Sequence, residues 1–139
     1  MTSNSSNPFD LAMQRYQAGE KAENLIEEFQ KIVASSPNQS AGWTCLAWLQ
    51  LLSNQFDDAL YSARIAVKNN PQDPQARINL SLALLETNSK GVREHIDFVK
   101  RASIILPEIQ KELSDSIEDG LSRKPDWKKL EKIKSWLDF

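Results

Sequence analysis

The stretch from Ser40 to Asp73 constrains the fold more than any other part of the chain. It holds two helix-length apolar patterns separated by a polar break, residues 53–55. Apolar side chains recur at helical spacing first at Trp43, Leu46, Ala47 and Leu51, and then at Phe56, Ala59, Leu60, Ala63, Ala66 and Val67. Because a stripe of alanines lets a second helix approach closely, the pattern predicts two antiparallel helices packed as a hairpin.

The same pattern recurs on both sides of this stretch at an interval of about 34 residues. Phe9, Trp43 and Arg77 follow one another at that interval, and so do Pro37 and Pro71. The motifs Trp-x-x-Leu-Ala, Phe-x-x-Ala and Asn-Asn-Pro-x-Asp-Pro resemble those of the tetratricopeptide repeat family, although Arg77 stands where an aromatic residue is usual. The resemblance implies an all-α fold, an α–α superhelix of about eight helices in stacked hairpins.

The repeat spacing divides the chain into predicted segments. Residues 1–6 are predicted to be disordered, and residues 7–107 to form three repeats with boundaries at 6–39, 40–73 and 74–109. Residues 108–139 are predicted to form a capping helix pair whose last helix is basic and amphipathic. Outside the central stretch, helices are expected from residue 8, after an Asn7 cap, and at residues 20–34, 74–87, 92–106, 108–121 and 126–137.

Charge is unevenly distributed along the chain. Residues 1–121 carry 11 basic and 16 acidic side chains, whereas residues 122–139 carry 6 basic and 3 acidic ones. The formal net charge of −2 gives no bulk basic signal for nucleic acid, so no nucleic-acid partner is expected. The first residues lack the basic and apolar regions of a signal peptide, and the only cysteine, Cys45, excludes an internal disulfide. We therefore expect a cytoplasmic protein.

The concave surface of such a superhelix, lined by the first helix of each hairpin, is the candidate binding site. Its predicted residues are Gln14, Thr44, Trp48, Leu51, Leu52, Gln75, Ile78, Asn79, Leu82 and Leu85. The apolar middle of this groove is larger than a monomer normally leaves exposed to water, so something should cover it. The sequence leaves two alternatives: a partner's peptide or helix binds there, or the chain's own C-terminal helix turns back and fills the groove.

A second candidate surface is the basic last helix. Arg123, Lys124, Lys128, Lys129, Lys132 and Trp136 are its possible docking residues. They could contact an anionic membrane surface or an acidic complex. The competing interpretation is a capping helix whose lysines extend into solvent while its apolar side packs on the repeats.

No residue pattern indicates catalysis. The chain has no Gly-rich phosphate loop and no nucleophile motif. One histidine and one cysteine are too few for a zinc site, so no metal or cofactor is expected, and His95 is interpreted as a packed structural residue. The sequence therefore predicts a non-enzymatic scaffold or adaptor that binds a protein or peptide, as a monomer or weak homo-oligomer. The alternative is an assembly factor that docks through its basic last helix.

Overall fold

The protein is all-α, as predicted, in a computed structural model that describes residues 7–139. That range contains eight α-helices and no strand. The helices are α1 (Pro8–Gln17), α2 (Ile26–Ser35), α3 (Ser40–Leu52), α4 (Phe56–Asn69), α5 (Pro74–Glu86), α6 (Val92–Ile105), α7 (Pro107–Arg123) and α8 (Lys128–Leu137). The predicted disorder of residues 1–6 lies outside the described residues.

Local signals set the helix starts that the sequence predicted. The Asn7 side chain accepts hydrogen bonds from the backbone N–H groups of Phe9, at 2.8 Å, and Asp10, at 3.3 Å. At α5 the Asp73 carboxylate accepts from the Gln75 N–H at 3.0 Å, and proline follows the cap in both helices. These side chains satisfy N–H groups that a helix start leaves without a backbone acceptor.

The second helix begins later than predicted. Residues 22–24 form a 3₁₀ turn, and α2 starts only at Ile26 rather than at Glu20. Glu20 belongs instead to the end of α1: its N–H donates to the Arg15 carbonyl at 3.1 Å, and its carboxylate binds the Arg15 guanidinium at 2.6 Å. Gly19, at φ 99°, makes the left-handed turn that allows this stop.

The last two helices also have different bounds from those expected. α7 begins at Pro107 and continues to Arg123, beyond the predicted end at Leu121. α8 begins at Lys128 rather than Asp126, because Asp126 adopts a left-handed conformation with φ 65° that a helix cannot include.

Successive helices pack side by side, with α3, α4, α5 and α6 forming the middle of the array. Positions 34 residues apart make the same contact in the second and third hairpins. The Trp43 indole N–H donates to the Pro37 carbonyl at 2.8 Å, and the Arg77 Nε donates to the Pro71 carbonyl at 3.0 Å. The Arg77 guanidinium also lies 4.4 Å from the centre of the Phe98 ring. Arg77 therefore takes the part played by an aromatic residue at the equivalent position.

The C-terminal helices turn back into the concave side of the array. Trp48, Leu51, Ile78 and Leu82 share one buried cluster with residues of α7, of α8 and of the segment between them: Leu113, Ile117, Trp127, Leu130, Ile133 and Leu137. The Trp48 and Trp127 rings lie 5.9 Å apart. Of the two alternatives left open by the sequence, the structure shows the one in which the chain covers its own apolar groove.

Polar contacts fix this arrangement at its edges. Arg123 of α7 donates to the carbonyl of Tyr16 at 2.6 Å and to that of Glu20 at 2.9 Å. The Trp127 indole N–H donates to the Glu86 carboxylate at 2.7 Å. These bonds join the C-terminal pair to the first and third hairpins, so the ends of the array are connected through the filled groove.

α7 approaches the groove closely at Gly120, and we predict that Gly120→Ala destabilises the protein. A Cβ there would lie 2.8 Å from Trp48 Cζ2 and 2.9 Å from Leu130 Cδ2. Although alanine favours a helix by about 1 kcal/mol over glycine, overpacking should lower the free energy of unfolding by about 1–3 kcal/mol. Chemical denaturation measures this difference.

Ser122→Ala, at an exposed position of the same helix, is the control and should change the unfolding free energy by no more than about 0.5 kcal/mol. A Gly120→Ala protein more stable than the parent would show that only helix propensity matters at this position, and that α7 does not pack against Trp48.

Candidate functional site

The residues predicted to line the groove fall into three groups. Leu51, Ile78 and Leu82 are fully buried, and Leu52 and Leu85 are half-buried against the same cluster. Gln14 is exposed on α1 and is not among the residues that line the cleft described below. The remaining four, Thr44, Trp48, Gln75 and Asn79, line an open cleft. In this structure the apolar half of the predicted groove is therefore not accessible, because α7 and α8 occupy it.

The open part, which we call the N-terminal cleft, has a volume of about 520 Å³. It lies between α1, α3 and α5 on one side and α7 on the other. Its lining residues are Met13, Tyr16, Gln17, Phe29, Thr44, Cys45, Trp48, Leu49, Gln75, Asn79, Glu112, Asp115, Ser116, Asp119 and Arg123. The volume is in the range of ordinary ligand sites in proteins.

A series of hydrogen bonds links α3, α1 and α7 at one end of the cleft. The Trp48 indole N–H donates to the Tyr16 hydroxyl at 2.9 Å, and that hydroxyl donates to the Asp119 carboxylate. Arg123 lies 3.7 Å from the centre of the Tyr16 ring and binds Asp119 at 3.2 Å. Burial, reinforced by the hydrogen bond to Asp119, raises the pKa of Tyr16 well above its ordinary value. The phenol therefore stays protonated and acts as a donor.

The amides of α5 are used within the protein. Asn79 is fully buried; its Nδ2 donates to the Thr44 carbonyl at 2.9 Å, and its Oδ1 accepts from Gln75 Nε2 at 2.9 Å. Both residues were predicted to lie in the binding groove. The structure gives them a further role, since these bonds fix α5 against α3 and shape the cleft wall.

Thr44 has a buried hydroxyl with no hydrogen-bond partner among residues 7–139. Thr44 lines the cleft, and the residue is only 8% exposed. An unpaired buried hydroxyl costs about 1–3 kcal/mol in desolvation. A polar group that reached this hydroxyl would give it a hydrogen bond that the protein does not supply.

Cys45 lies beside Thr44 on the same wall. Its Sγ is 3.7 Å from the Met13 sulfur. Burial, with a smaller contribution from the charge of Asp73, raises the pKa of the Cys45 thiol to about 12. The thiol is therefore protonated at neutral pH and contributes apolar surface to the cleft.

The wall formed by α7 is acidic. Glu112, Asp115 and Asp119 line the cleft at positions i, i+3 and i+7 of one helix face. These three residues were not among the predicted site residues, although their spacing is visible in the sequence. What the spacing could not show is that α7 returns to face α3.

The predicted docking residues do not form a single surface. Arg123 and Lys124 are held inward: Lys124 bonds Asn54 and lies 4.3 Å from the Trp127 ring. Lys128 and Lys132 are exposed, Lys129 is half-buried, and Trp136 is 41% exposed. The apolar side of α8, which a membrane-surface helix would insert, is packed into the core through Leu130, Ile133 and Leu137.

His95 occupies a structural position. It is buried, and its Nδ1 pairs with the Arg77 Nη1 at 3.1 Å. Burial, together with the charge of Arg77, lowers the pKa of His95, so the ring is neutral at neutral pH. Within residues 7–139, no three His, Cys, Asp or Glu side chains converge as metal ligands would. In the same range, every helix is too short or too polar to span a membrane.

Comparison with solved structures finds the type III secretion translocator chaperone SycD of Yersinia enterocolitica. One SycD structure, an alternative dimer, superposes with a TM-score of 0.67 at 20% sequence identity, over 100% of this chain and 98% of that chain. A second gives a TM-score of 0.58 at 18% identity and covers 99% of this chain and 83% of that one. A third, SycD in complex with a peptide of the translocator YopD, gives 0.57 at 18% identity, with coverages of 99% and 92%.

These similarities show a shared helical fold over the whole described chain. No protein-family model matches the sequence, and no curated protein matches it either. The tetratricopeptide resemblance and its three repeat boundaries stay predictions, which the common fold and the equivalent contacts of Trp43 and Arg77 support.

The unpaired hydroxyl of Thr44 yields a stability prediction. Replacing it with a methyl group, in Thr44→Val, should raise the free energy of unfolding by about 0.5–1 kcal/mol, because it removes a desolvated group without removing a bond. The matched variant is Ser62→Ala, whose buried hydroxyl donates to Gln50 Oε1 at 2.8 Å and should cost about 1 kcal/mol. If denaturation shows equal losses for both variants, the Thr44 hydroxyl is already satisfied.

Proposed function

We propose that this protein is a non-enzymatic adaptor that holds an extended segment of a partner protein in the N-terminal cleft. The observation that carries the proposal is Thr44, which lines an accessible cleft and whose buried hydroxyl has no hydrogen-bond partner within residues 7–139. A peptide backbone offers carbonyl and N–H groups along its length. One of them can complete the hydrogen bonding of Thr44 while a side chain packs against Cys45 and Trp48.

The filled half of the groove favours an extended segment over a helix in the cleft. The half of the groove that could have received an apolar helix face is already filled by Leu130 and Ile133 of α8.

The comparison with SycD supports the proposal without deciding it. SycD shares this fold and has been solved with a peptide of its translocator YopD. At 18–20% identity the similarity shows the fold alone, so we extend peptide binding to this chain as a proposal.

Protonation in the cleft fits binding rather than nucleophilic chemistry. The raised pKa values of Cys45 and Tyr16 leave both groups protonated at neutral pH, where a nucleophile would need to be ionised. Cytoplasmic location stays a prediction from the sequence.

Cys45 offers a direct test, since it is the only cysteine and lies in the cleft. Peptides selected from a random library on the full chain should slow the alkylation of Cys45 by N-ethylmaleimide when they are present at saturation. Thr44→Val should weaken the same peptides about threefold to tenfold through the lost hydrogen bond. Ser62→Ala, outside the cleft, should leave their affinity unchanged.

Two outcomes would contradict the proposal. One is a library from which no peptide is enriched. The other is peptides that bind while Cys45 alkylates at its original rate and Thr44→Val has no effect, which would place binding on another surface.

A further inference from the structure

We propose that the segment bound in the N-terminal cleft carries a lysine or arginine beside its apolar anchor, and that the acidic wall of α7 recognises this cation. This inference rests on the proposed function, since it specifies the chemistry of the segment held in the same cleft. It concerns Glu112 and Asp115, which have no part in the packing of α7 against the groove.

The three acids of the wall differ in how far the protein already neutralises them. Asp119 is engaged by Tyr16 and by Arg123. Asp115 pairs with Lys111 at 2.9 Å, but both side chains are more than two-thirds exposed, so the pair contributes little and can exchange partners. Glu112 makes no ion pair within residues 7–139. Two carboxylates are thus available to an incoming charge.

The opposite wall supplies no cation to balance them. Thr44, Cys45, Gln75 and Asn79 are uncharged, and Arg123, the one basic residue of the lining, is committed to Asp119 and to backbone carbonyls. Acidic side chains along one wall of a cleft raise the local concentration of positive groups and disfavour negative ones. This distribution of charge in the cleft therefore favours a positively charged side chain on the partner.

The two walls of the cleft offer different contacts, because the α3 wall is uncharged and the α7 wall is acidic. Thr44 and Cys45 lie on α3, whereas Glu112 and Asp115 lie on α7 across the cleft. A segment between the two helices can bond its backbone to the unpaired Thr44 hydroxyl and place successive side chains on opposite walls, as an extended chain does. An apolar residue then faces α3 and a basic residue faces α7.

The test uses the full chain and peptides selected from an unbiased random library. We expect the enriched sequences to contain lysine or arginine next to an apolar residue. Changing that basic residue to glutamine should weaken binding about twofold to fivefold. Raising NaCl from about 0.05 M to about 0.5 M should weaken the parent peptide more than its glutamine counterpart.

The double variant Glu112→Gln with Asp115→Asn should reduce the affinity of the basic peptide by a similar factor and leave that of the glutamine peptide unchanged. Asp57→Asn with Asp58→Asn is the matched control, because it removes the same charge from exposed positions on α4 outside the cleft. It should affect neither peptide.

The outcomes separate the two proposals. The charge inference would be overturned, and peptide binding left in place, if the peptides that protect Cys45 are neutral or acidic. The same conclusion would follow if the basic peptides bind the cleft double variant and the α4 control variant equally well. A library with no enriched peptide would overturn the proposed function, and the charge inference with it.

Discussion

The packing of the last two helices into the concave side of the first six is the contact on which the rest of the structure depends. Trp48 lies at its centre, against Trp127 of the segment before α8 and against the backbone of α7 at Gly120. Without this contact the buried side chains of Leu51, Ile78 and Leu82 would face water. Burial of each large apolar side chain contributes about 1.5–3 kcal/mol, so the filled groove is a main source of stability.

The same packing creates the candidate site. Because α7 crosses the groove rather than filling all of it, one end of the concave surface stays open between α1, α3, α5 and the side of α7. The filled half supplies rigidity, through Arg123 bound to the carbonyls of Tyr16 and Glu20. The open half keeps an unsatisfied hydroxyl at Thr44 and two available carboxylates at Glu112 and Asp115. A stable helical framework whose open cleft contains polar groups without partners is suited to reversible binding.

The helices were predictable because their signals are local, such as the caps at Asn7 and Asp73 and the stops at Gly19 and Asn54. The groove residues were predictable as a set because they share helix faces. Their division into buried and accessible residues was not, since it depends on contacts between segments about 70–80 positions apart. Gly120 lies inside α7, where it serves no cap and allows the close approach of Trp48. The predicted helix ended at residue 121 and so placed this glycine in its last turn, where it did not indicate docking.

The most direct test of this account is a nuclear Overhauser measurement on the full chain in solution. The structure predicts cross-peaks from the Trp48 ring protons to the Gly120 α-protons and the Leu130 methyl groups, because all three lie in contact. Cross-peaks between Thr44 and Asn79 report independently that α3 and α5 are packed. If the Thr44–Asn79 cross-peaks are present while Trp48 shows no cross-peak to Gly120 or Leu130, the groove is open in solution and the packing described here is wrong.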